Sequence, residues 1–149
     1  MTKKTDKPAA FVFGKRPETI SGTVEFPLPD GTSAKLDCKF KYRTRKEFGA
    51  LWDEIAGASL AVGAPQPDAS KDEADKDAED APKFTFAGMF ERGDEANADN
   101  ALKYLAAWNE EHPALTKDTL TELFDQAPAA PAAIWNAYRQ LCTTGRLGN

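Results

Sequence analysis

The sequence predicts an α+β protein: an N-terminal antiparallel β-hairpin plus a helix, a disordered acidic linker, and a small C-terminal helical bundle. Three observations carry this. Residues 20–42 alternate apolar and polar side chains, residues 57–82 hold no aromatic residue and are rich in Ala, Asp, Gly, Pro and Lys, and beyond residue 95 apolar residues recur at helical spacing. At 149 residues the chain is long enough to bury a core without disulfides or a structural metal.

The first ten residues read as a flexible tail, and Phe11-Val12-Phe13 is compatible with a short edge strand. In "TISGTVEFPLPDGTSAKLDCKFKY" the apolar side is Ile20, Val24 and Phe26 on one strand and Leu36, Cys38, Phe40 and Tyr42 on the other. Register follows from keeping that side intact. A three-residue loop at Pro29, Asp30 and Gly31 sets Val24 opposite Leu36 and Ile20 opposite Phe40, whereas a two-residue Asp-Gly turn would set Val24 against a charged position.

Thr44 and Glu47 then form a T-x-x-E capping box, followed by Phe48, Leu51, Trp52 and Ile55 at i, i+3, i+4 and i+7, so an amphipathic helix is expected to end near Gly57. Arg45 and Lys46 fall in its first turn, where cations oppose the helix dipole. This closes a hairpin-and-helix module over residues 11–56.

Residues 57–82 read as a disordered acidic linker, with seven acids against two lysines from Asp68 onward. A loose helix through "KDEADKDAED", held by i,i+4 charge pairs, is the alternative. The helical module, residues 83–149, opens with "KFTFAGMF", whose Phe84, Phe86, Met89 and Phe90 fit either a strand returning to the hairpin or a turn of helix. Helices are expected over about 95–109, with Leu102, Leu105 and Trp108, and about 117–125, capped by Thr116 with Leu115 able to staple to Leu120. A last helix has Pro131 near its start, carries Ile134, Trp135, Tyr138, Leu141 and Cys142 on one face, and stops at Gly145.

The balance of 19 basic against 24 acidic residues gives a net charge of −5, which argues against polyphosphate binding as the main task. Positive charge gathers in the first 56 residues, which hold 11 cations and 8 acids. Cys38 and Cys142 have no metal-ligand spacing and read as small apolar residues. No stretch approaches the length of a membrane span. His112 in "EEHP" reads as a surface histidine in a turn, and the adjacent Glu110 and Glu111 do not converge on one ion as i,i+4 ligands would. No nucleophile elbow, phosphate loop or dinucleotide fingerprint is present, so no enzyme activity and no cofactor are expected.

Lys35, Lys39, Lys41 and Arg43 alternate on the outward side of the second strand, and Arg45 and Lys46 extend the row. Such a row can protect a strand edge, dock a protein, or contact nucleic acid in a salt-dependent way. The neighbouring aromatics Phe40, Tyr42, Phe48 and Trp52 are assigned inward, which weakens the nucleic-acid reading.

Two stretches also resemble a known family. "FKYRTRKEFGALWDE" is similar to the front of the phage tail assembly chaperones of tailed bacteriophages and prophages. "NALKYLAAWNEEHPALTKDTLTELFDQAPAAPAAIWNAYRQLCTTGRLGN" resembles their helical end: a Trp-bearing helix, a "T-x-x-x-L-x-x-L" helix, a Pro/Ala break, an "AIWNAY" helix and a terminal "GRLGN". The acidic insert at 57–82 has no counterpart in that pattern. The resemblance implies a non-catalytic protein of the host bacterial cytoplasm, absent from the mature virion. It would bind the long, aggregation-prone tape measure protein and recruit major tail protein, in part through a longer frameshifted product. Leu147-Gly148-Asn149 is compatible with the codons CUG-GGA-AAC, which contain a slippery heptamer. The residues offered for partner binding are Lys39, Lys41, Arg43, Arg45 and Lys46, together with Trp108, Trp135 and Tyr138, whose rings supply contact area for a helical client or for self-association. For each of these rings a place in the core is the competing reading.

Overall fold

The computed structural model describes residues 10–63 and 84–145. The expected tail through residue 9, the linker beyond Gly63 and the terminal residues from Arg146 lie outside the described residues.

Strands β1 (Thr19–Pro27) and β2 (Ser33–Lys41) form the hairpin, with Val24 opposite Leu36 and Ile20 opposite Phe40. Leu28 N–H donates to the Thr32 carbonyl at 2.7 Å, which leaves Pro29, Asp30 and Gly31 as the loop. Gly31 closes it by donating to the Leu28 carbonyl at 3.0 Å with φ +86°, a left-handed conformation that a side chain would strain. Phe11 and Phe13 belong to no strand and lie 80% and 91% exposed.

Helix α1 (Arg45–Gly63) begins with the expected capping box: Glu47 N–H donates to the Thr44 hydroxyl at 3.2 Å, and Thr44 N–H to the Glu47 carboxylate at 2.8 Å. It does not stop near Gly57 but continues six residues to Gly63, so the first part of the expected linker is helical. A single glycine costs a helix roughly 1 kcal/mol relative to alanine, too little to end one when Ala56, Ala58 and Leu60 surround it.

The second half departs most from expectation. Helix α2 (Phe86–Tyr104) starts nine residues earlier than the spacing suggested, capped by Thr85, whose hydroxyl accepts from Gly88 N–H at 3.0 Å. It ends where the expected helix was to continue, and Leu105–Trp108 form strand β3. β3 pairs antiparallel with β2, setting Phe40 opposite Leu105, Lys39 opposite Ala107 and Cys38 opposite Trp108, with an irregularity that passes over Ala106. Leu102, Leu105 and Trp108 have helical spacing, but an unpaired edge of β2 wins: pairing satisfies its backbone groups and drops Leu105 beside Phe40. Asn109 extends the ladder with its side chain, accepting from Asp37 N–H at 2.8 Å.

The sheet order is therefore β1-β2-β3, and the lysine row lies on the central strand. It guards no edge. Helices α3 (Lys117–Gln126) and α4 (Ala130–Thr144) follow as expected, the first capped by Thr116 with Thr119, the second carrying Pro131 in its first turn and ending on Gly145 at φ +84°.

One hydrophobic core spans both halves of the chain. It takes Val24, Phe26, Leu36, Cys38 and Phe40 from the hairpin, Phe48 and Leu51 from α1, Ala98, Ala101 and Tyr104 from α2, and Leu120, Phe124, Ile134 and Tyr138 from α3 and α4. Tyr138 is its centre, stacked on Phe40 at 5.4 Å and on Tyr104 at 5.0 Å, with Phe48 edge-on at 5.5 Å. Such ring pairs each add about 0.5–1.5 kcal/mol beyond the area they bury.

Candidate docking groove

Of the residues offered for partner binding, Tyr138 is buried in the core and Arg43 is half-buried against it. Arg43 does not point outward. Its guanidinium donates to the Tyr138 hydroxyl at 2.9 Å and to the Lys103 carbonyl at 2.8 Å, and Tyr138 in turn donates to the Lys41 carbonyl at 3.0 Å. Tyr138 is fully buried, and burial pushes its hydroxyl up to about 12. These bonds tie the end of β2 to the ends of α2 and the middle of α4. They give the backbone carbonyls of Lys41 and Lys103 side-chain donors.

The other cations keep their exposure. Lys39, Lys41, Arg45 and Lys46 are all exposed, and the Lys41 ammonium donates to the Leu102 carbonyl at 3.1 Å. Glu47 holds Arg16 as well as the helix cap, and Arg16 lies over the Tyr42 ring at 5.5 Å. Trp108 is half-buried on β3 and donates its indole N–H to the Pro113 carbonyl at 2.7 Å, closing the turn that holds the exposed His112. Trp52, expected inward, is 41% exposed. It caps the aromatic cluster edge-on to Phe48 and Trp135, with Arg139 over its ring at 5.9 Å.

What the sequence did not announce is an open groove of about 770 Å³ beside this cluster. Its walls include Ile55 of α1, Phe90, Asp94 and Tyr104 of α2, Phe124 and Asp125 of α3, and Trp135 of α4, with Pro128 and Pro131 at the α3–α4 junction. No wall residue is a cation. Asp94 lies half-buried, and its carboxyl is held above the usual range by burial and by the neighbouring Asp125. From the groove the same side of α2 runs on toward the helix start with exposed apolar side chains: Phe86, Met89 and Phe90 are 69%, 39% and 63% exposed, and Phe84 packs edge-on against Phe86 at 5.4 Å. Phe86, Phe90, Asp94 and Asn97 recur at i, i+4, i+8 and i+11, so the exposed rings and the groove wall are one continuous stripe. The signal in the sequence is the apolar island at 84–90 once it is set on a helix.

Among the described residues no group of His, Cys, Asp and Glu could hold a metal ion, and no helix is long and apolar enough to cross a membrane. Cys38 and Cys142 are buried and free, and burial pushes the Cys38 thiol up to about 12. The fold and the groove thus define a small α+β protein with an apolar, acid-flanked groove that continues into an exposed aromatic helix start. The family model for phage tail assembly chaperones matches residues 8–149, and the chain belongs to that family. No curated protein and no solved structure matches the chain. Membership implies protein partners in tail assembly.

Proposed function

We propose that this chaperone binds the tape measure protein during tail assembly, by contact alone and without catalysis, in the host bacterial cytoplasm, and leaves before the virion is complete. The observation that supports this is the stripe on α2, where Phe86, Met89 and Phe90 stand exposed in line with an apolar groove. Exposed apolar surface of this kind is costly in a protein that functions alone, and it marks a place where another chain is received. A long helical client kept from aggregating needs such a face to cover its own. Recruitment of major tail protein would be a second step on the loaded complex, through a longer frameshifted product if one is made.

Co-expression tests the reading. A tape measure fragment that precipitates alone should remain in the soluble fraction with this chain present, and should co-purify with it. A fragment equally insoluble in both cases would overturn it.

A further inference from the structure

We infer that the groove receives an amphipathic helix whose apolar stripe carries a lysine or arginine, with the Asp94 and Asp125 carboxylates as the groups that hold the cation. This rests on the client-binding reading above and names the chemistry of the segment bound.

The occupant is a helix because of what the walls lack. The groove is built from helix sides and the α3–α4 junction, whose backbone groups are largely spent within the helices, so it offers no ladder to an extended peptide. A helix satisfies its own backbone and needs only side-chain contact. The α2 stripe from Phe86 to Tyr104 is about 27 Å long at 1.5 Å per residue, which matches a partner helix of about five turns. Phe90 and Trp135 supply the large rings on which its apolar side chains would lie.

Charge then selects among such helices. Asp94 and Asp125 are the titratable acids of the groove wall, and no cation stands among the wall residues to neutralise them. Glu91, Glu95 and Asp99 lie on α2 outside the groove wall, where Lys117 pairs with Asp99 at 3.0 Å and faces Glu95 as well, so the selection falls to Asp94 and Asp125. Two carboxylates that repel each other at a half-apolar wall are relieved by an incoming cation and penalised by an incoming acid.

The test uses the full chain and two fluorescein-labelled helical peptides of about 20 residues with the same Leu/Phe stripe, one flanked by lysines and one by glutamates. Anisotropy should show the lysine peptide binding at least tenfold tighter. Asp94→Lys with Asp125→Lys should invert the preference, Asp94→Asn with Asp125→Asn should bring the two affinities together, and Phe90→Ser should weaken both. Thermal unfolding of each variant checks that the fold is kept. Equal binding of the two peptides by the wild type, or a preference unmoved by both double variants, overturns the inference. Self-association of the chain that the groove variants abolish would make a second copy the occupant and also overturn it. The tape measure fragment separates the two levels: wild type and Asp94→Lys/Asp125→Lys keeping it equally soluble leaves client binding standing and removes the groove charge, while failure of the wild type removes both.

Discussion

The Arg43 guanidinium donates to the Tyr138 hydroxyl across 95 residues of chain, at 2.9 Å, and so joins the end of the hairpin to the last helix. Both residues look like surface recognition groups in the string, one in a basic run and one in an aromatic run. Together they are a part-buried fastening between the two halves of the chain. Tyr138→Phe keeps the ring stack but leaves the Lys41 carbonyl without its donor, so a loss of about 1–3 kcal/mol is expected by urea denaturation. In a double-mutant cycle with Arg43→Met the two losses should couple rather than add.

The hairpin loop gives a second prediction. Gly31 at φ +86° has open space around it, so Gly31→Ala meets no neighbour and its cost is conformational alone. A loss of about 1–2 kcal/mol is expected, with Gly31→Asn losing less because Asn tolerates the left-handed region. Thermal unfolding of the pair measures the difference.

Alkaline pH should weaken the fold. The Cys38 thiol and the Tyr138 hydroxyl are both raised to about 12 by burial, from ordinary values near 9 and 10. A raised pKa stabilises the protonated fold below the unfolded value and loses that stability as pH climbs through the folded one. Stability should therefore be flat through neutrality and decline between about pH 9 and 12, with Tyr138→Phe and Cys38→Ala each showing a shallower decline. Urea midpoints at a series of pH values would show it.

Arg45 and Lys46 stand exposed in the first turn of α1, opposed to its dipole. Replacing both with glutamate should raise stability by about 0.3–1 kcal/mol each at low salt, less at high salt. If client solubility falls while stability rises, the pair belongs to the docking surface.

Where local chemistry decides, the sequence was readable. The Thr44–Glu47 box, the three-residue loop, the Thr116 cap and the Gly145 stop all depend on neighbours within a few residues, and the register of β1 on β2 follows from one alternating pattern. β3 was not readable because Leu105–Trp108 is helical by spacing and becomes a strand only when β2 lies beside it. For the same reason Arg43 passed for an outward cation: alternation gives the side of a strand, and the carbonyl of Lys103 that claims the guanidinium comes from 60 residues away. The groove was half legible. Phe86 and Phe90 were visible as an apolar island, but their alignment with Asp94 needed the helix start at Phe86.

A photo-crosslinking amino acid placed at position 90, with the full chain co-expressed beside the tape measure protein, tests the central claim directly. A covalent adduct between the two proteins, lost when Trp135→Ala opens the facing wall, is the expected result. A soluble complex that forms with no adduct from position 90 would contradict the groove as the docking site, and no complex at all would contradict the chaperone–client relationship itself.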